Sequence, residues 1–124
     1  MAIVLIALGG ATGAVARYLV DAWVSQAAAS AFPWGTFAVN ASGAFLLGLL
    51  FALATERGVL PAEIRGPVMI GFVGAYTTFS TLMLESWRLW EDGSVALAIV
   101  NLGGSTVVGL VAVVAGLMIG RAMA

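Results

Sequence analysis

The chain has 124 residues, 62% of them hydrophobic and 9% charged, with a formal net charge of -1, far outside the soluble globular average. It has no cysteine and no histidine, which excludes disulfides, thiolate metal sites, thiol catalysis and the side chain that usually serves as a general base near neutrality. Its five positive residues are scattered arginines, so no basic surface is offered to nucleic acid.

The first apolar run, residues 2–24, is about as long as the ~20 residues a helix needs to cross a bilayer. It lacks a basic leader and a small-residue cleavage pattern, so it reads as mature protein rather than signal peptide. Gly9, Gly13, Arg17 and Asp21 fall on one helical stripe. One reading is packing, with close backbone approach at the glycines and an Arg17–Asp21 pair near the interface. The other is an anion-attracting vestibule whose permanent positive charge is Arg17.

A polar stretch, residues 25–30, leads to Pro33, which suits a first helical turn and opens the second segment, 33–54. Asn40 lies inside that span. A buried amide must be satisfied, so it either hydrogen-bonds a neighbouring helix as structural glue or presents its NH2 to a permeating anion. Ala44 and Gly48, further along the same helix, suit either.

After a charged link at 56–65, the third segment, 66–90, carries a polar tract from Gly71 to Thr81, with Gly74, then Thr77, Thr78, Ser80 and Thr81 around Phe79. Hydroxyls can return hydrogen bonds to their own helix, which gives a continuous, slightly bent helix. The alternative is a break near the middle, which frees backbone carbonyls to line a cavity or bind a cation. With no carboxylate beside Gly74 and Thr77, an ion held there is a monovalent cation on carbonyl oxygens, shared across a dimer axis. Glu85, further along, can pair with Arg88 or cap the polar face, and the structural role is favoured.

The turn Glu91-Asp92-Gly93-Ser94 precedes the fourth segment, 95–123, where Asn101, Ser105 and Thr106 form a polar stripe that can complete a hydrophilic track with Ser80 and Thr81. Gly109, Gly116 and Gly120 read as packing notches. Trp23, Trp34, Trp87 and Trp90 mark span ends, where amphipathic rings prefer the interface.

The short connections leave no room for a second domain, so residues 1–124 form one integral membrane domain and function is confined to transport, channels or assembly. Arg57, Arg65 and Arg121 on one side face Arg17 and Arg88 on the other, almost no bias. Such a chain can insert both ways, and four thin helices enclose little alone, so an antiparallel homodimer surrounded by membrane lipid is expected.

Four motifs in order resemble the Fluc (CrcB) family of fluoride channels across essentially the whole chain. They are Gly9 through Arg17-Tyr18, Gly35-Thr36 through Asn40 to Gly43, Gly74 through Thr77-Thr78-Phe79-Ser80-Thr81, and Asn101 to Ser105. The resemblance implies an all-α membrane protein of four helices with the third broken. It implies a dual-topology homodimer in the cell's inner membrane that passes fluoride through two pores around a central, non-transported sodium ion. Position by position, it gives Gly74 and Thr77 to the sodium through their carbonyls and gives Asn40, Phe79, Ser80, Thr81 and Ser105 to the fluoride path, with Arg17 at the vestibule. Asn101, Glu85 and Thr106 are further candidates. The family commonly has a second phenylalanine three residues after the first, and here that position is Leu82, which has no ring quadrupole to offer an anion.

Two other classes fit the size. A proton-coupled exporter needs a titratable carboxylate deep in the membrane, for which Glu85 is the candidate within a span. A scaffold subunit explains the glycines but leaves the polar tract without a purpose.

Overall fold

In lipid a backbone must satisfy its own polar groups, and a single-chain span of this length does so as a helix. The computed structural model describes residues 1–123 and contains four helical spans, Ala2–Ala28, Trp34–Glu56, Ala62–Glu91 and Val95–Ala122, with no strand among the described residues. The helices are labelled α1 (Ala2–Ala28), α2 (Trp34–Glu56), α3 (residues 62–76), α4 (Phe79–Glu91) and α5 (Val95–Ala122). Helices α3 and α4 share the third span.

Helix α1 runs past the predicted end at 24 because Ser25 does not break it: its hydroxyl donates to Asp21 Oδ1 at 3.1 Å. It stops at Ala29, whose φ of 44° is left-handed and whose N–H returns to the Ser25 carbonyl. The third span begins at Ala62 rather than 66, since Pro61 directly precedes the first turn. Pro67 then falls inside the helix, where it has no N–H to donate and its ring crowds the carbonyl four residues back. From Gly66 to Val73 the helix is wound wider, in π form, and the Gly74 N–H reaches the Met69 carbonyl five residues back.

Helix α2 packs along α5, and α1 along α3. Both seams are cut to backbone level by glycine. A Cβ on Gly48 would run into the Val113 carbonyl and one on Gly116 into the Phe45 carbonyl; Gly9 and Gly13 meet the carbonyls of Pro67 and Phe72 in the same way. Gly120 abuts Leu49 and Ala52 as the sequence suggests, but Gly109 faces open space, with nothing within 4 Å of a Cβ there. Periodicity put all three on α5 but did not show which of its sides meets α2.

The interior is thin: Val39, Ala52, Ala54 and Val73 are its best-buried apolar side chains. Only 6% of the most apolar window of α1 and 11% of that of α5 is buried, so most of the apolar surface faces outward, and all four tryptophans are exposed. That surface has lipid as its solvent, and the protein is a multi-pass membrane protein.

Among the described residues the single ion pair is Arg121–Glu56, a two-pronged contact at 2.7 and 2.8 Å joining the ends of α5 and α2; Arg57 adds a hydrogen bond from its guanidinium to the Arg121 carbonyl. The pairs Arg17–Asp21 and Glu85–Arg88 suggested by spacing do not form. Arg17 turns inward instead.

Candidate functional site

The polar tract of the third span does not continue as helix. Thr77 (φ -82°, ψ 158°) and Thr78 (φ -148°, ψ 115°) are extended between Tyr76 and Phe79. The Thr77 N–H still reaches the Val73 carbonyl, but the Thr77 carbonyl and the Thr78 N–H lose their helical partners, and side chains from α1 and α2 replace them.

Asn40 does most of this. Its Oδ1 accepts from the Thr78 N–H at 2.7 Å and its Nδ2 donates to the Thr78 carbonyl at 2.9 Å, the two-bond pairing an adjacent strand would offer. Arg17 Nη1 donates to the Thr77 carbonyl at 3.4 Å. Thr78 Oγ1 accepts from the Thr81 N–H at 3.3 Å and so caps α4, while donating to Thr81 Oγ1 at 2.9 Å. The Thr77 hydroxyl returns to the Val73 carbonyl at 3.1 Å. Gly43 leaves room for the turn, since a Cβ there would strike the Thr77 methyl and the Tyr76 ring.

A groove of about 390 Å³ opens along this turn, lined among others by Asn40, Gly74, Thr77, Phe79, Leu82 and Ser105. Of the residues singled out in the sequence it also takes Thr106, whose hydroxyl is turned to the Leu102 carbonyl at 2.8 Å. Ser80 and Thr81 lie outside its lining, as do Arg17, Glu85 and Asn101. Phe79 stands 74% exposed at the groove's edge. Leu82, the position of the missing second ring, is on the groove wall and 8% exposed. Asn101 is wholly buried, donating from Nδ2 to Ser86 Oγ at 2.8 Å.

Glu85 sits on the face of α4 toward α2, where Oε1 accepts from the Thr36 hydroxyl at 2.9 Å. Its Oε2 is buried without a hydrogen-bond partner. The sequence named Thr36 only as part of the second motif, without a role, and did not point to the Ser42–Tyr76 hydroxyl pair at 2.9 Å. Thr36 precedes Asn40 by one helical turn, and that i,i+4 spacing was the available signal.

The arrangement is that of a four-span membrane protein with an uncharged, hydroxyl- and amide-bearing groove beside an extended turn inside a span, suited to a small ion rather than to covalent chemistry. The chain belongs to the CrcB-like protein, Camphor Resistance (CrcB) family, whose sequence profile matches residues 4–117. It is 46% identical over 119 residues to a protein of Hahella chejuensis named fluoride-specific ion channel FluC, covering 96% of this chain and 94% of that one. A protein of the same name from Magnetococcus marinus is 46% identical over 121 residues, 98% of each chain, and one from Geobacter sulfurreducens is 45% identical over 119 residues, 96% of each.

Proposed function

We propose that the protein is a channel that passes fluoride passively out of the cell and relieves fluoride toxicity, working as an antiparallel homodimer. The observation that carries this reading is the convergence of Asn40, Phe79 and Ser105 on one groove at the extended turn, with no carboxylate in its lining. Fluoride is small and strongly hydrated, so passage needs donors that replace water without a fixed charge that would hold the ion. Asn40 keeps a second amide hydrogen beyond the one engaged by Thr78, and Ser105 has a hydroxyl. The Phe79 ring edge carries the positive side of its quadrupole. With Phe79 and Gly74 uncovered in one subunit, a second copy is the natural cover, and the weak arginine bias is compatible with its opposite insertion. Arg17, half-buried beside the turn, supplies positive potential near the groove.

The sodium ion belongs to the same proposal. The donor set fits: the Thr78 N–H that a continuous helix would give to the Gly74 carbonyl goes to Asn40, and Thr77's carbonyl has a second lone pair beyond the one Arg17 approaches. Carbonyl oxygens without a carboxylate suit a hard monovalent cation. Gly74 and Thr77 would hold it, and when bound it would tie two subunits together and add fixed positive charge without moving.

Proteoliposomes loaded with fluoride or chloride provide the test. Purified dimer should release fluoride rapidly and chloride hardly at all, with no need of a proton gradient. Retention of fluoride by folded dimers rejects the channel. Release that requires a proton gradient favours instead an exporter working through Glu85, the half-buried carboxylate with an unpaired oxygen. Replacing sodium with a large organic cation should weaken the dimer; indifference to sodium removes the ion from Gly74 and Thr77.

A further inference from the structure

Hydroxyls inside the helices divide in two. Thr12, Ser42, Ser86 and Thr106 each return their proton to the backbone carbonyl four residues back, at 2.7 to 3.1 Å. Ser25 and Thr36 give theirs to the carboxylates of Asp21 and Glu85, and Ser105, on the groove wall, gives its own to a neutral amide, the Asn101 side-chain Oδ1, at 3.4 Å.

That amide cannot turn round. The single Ser86 proton goes to the Leu82 carbonyl at 2.7 Å, so towards Asn101 the Ser86 oxygen can only accept. Asn101 must therefore present Nδ2 to Ser86, at 2.8 Å, which leaves Oδ1 facing Ser105. A flipped amide would set two oxygens against each other inside a fully buried site. The direction of donation is thus fixed: Ser105 donates to Asn101, Asn101 to Ser86, and Ser86 to the Leu82 carbonyl.

We propose that Asn101 is a positioning residue for the anion path: by intercepting the Ser105 hydroxyl proton before its own helix can take it, Asn101 keeps that proton available to an ion in the groove. A 3.4 Å O–H···O contact is long and therefore easily surrendered. An arriving anion draws the Ser105 O–H away from Oδ1, and Oδ1 draws it back as the ion leaves, which favours weak binding and quick release. No bond is made or broken beyond hydrogen bonds. Without the Asn101 side chain, Ser105 falls back to the carbonyl of residue 101 in the short geometry of Thr106, and its proton is lost to the groove.

This rests on the fluoride-channel reading, and the experiment separates the two. Fluoride efflux is measured for the full-length wild-type dimer, Asn101→Leu, Ser105→Ala and the double variant, each confirmed folded by its elution as a dimer. Each single change should slow efflux about tenfold, the order of one hydrogen bond to an ion, and the double variant should be no slower than Ser105→Ala alone. Because Asn101→Leu leaves Ser86 without its donor and risks misfolding, Ser86→Ala provides a second route. It frees the amide to flip, should slow efflux several-fold, and should have no effect once Ser105 is alanine. Multiplying losses in the double variants, or normal efflux in Asn101→Leu, would overturn the positioning role and leave Asn101 as glue between α4 and α5. A wild-type protein that passes no fluoride takes down the channel reading and this inference together.

Discussion

The seam between α2 and α5 and the extended turn at Thr77-Thr78 solve opposite problems. At the seam, side chains are removed: Gly48 and Gly116 bring backbone against backbone, and the gain is van der Waals contact between helices that lipid does not push together. At the turn, backbone order is removed, and side chains restore what was lost, with Asn40 pairing both peptide groups of Thr78 and Arg17 reaching the Thr77 carbonyl. The seam needs only small residues and tolerates no additions. The turn needs particular donors and acceptors and tolerates no deletions.

The largest effect is expected from adding to the seam. Gly116→Leu forces a side chain into the Phe45 carbonyl and should cost about 3 kcal/mol or more, enough to prevent recovery of a monodisperse protein in detergent. Normal yield and thermal stability would mean that the α2–α5 seam is looser than its geometry.

Deletion at the turn comes next. Asn40→Leu leaves the Thr78 N–H without a partner and takes one donor from the Thr78 carbonyl, at about 1–3 kcal/mol for the N–H if it stays buried, and should abolish fluoride efflux. Asn40→Asp sharpens the comparison because it keeps the acceptor for the Thr78 N–H while placing negative charge in the groove. It should fold better than Asn40→Leu yet still suppress flux; unimpaired flux would return Asn40 to glue alone. Thr78→Val removes the cap of α4 and should cost about 1 kcal/mol, read as a lowered Tm. The smallest effect is Gly109→Ala. It meets nothing within the subunit and, by helix propensity alone, should stabilise by about 0.5–1 kcal/mol. A loss of dimer in that variant would show that the open face is pressed by a second copy.

The charges show where spacing misleads. Arg17 and Asp21 are one turn apart on α1, the usual distance for a pair, yet each has a different partner: Arg17 reaches the Thr77 carbonyl on another span, and Asp21 accepts from Ser25. Along a helix, i,i+4 spacing gives proximity but not direction, and a free carbonyl within reach can outbid a neighbouring carboxylate. Glu85 likewise ignores Arg88 for Thr36.

By itself the sequence determined the solvent, the number of spans and the place of the polar tract, because apolar runs of bilayer length admit only helices and hydroxyls cluster visibly in such runs. The same residues carried the family likeness. Tertiary structure alone decided which polar groups share a groove and which satisfy the backbone: Ser105 and Asn40 face it, while the Thr81 hydroxyl is taken up by Thr78, which caps a helix, and Asn101 lies wholly buried behind it. The reason is geometric. Whether a donor faces a groove or a neighbouring peptide depends on how helices distant in sequence are rotated against one another, and the glycine seams set that rotation through contacts that no local pattern records.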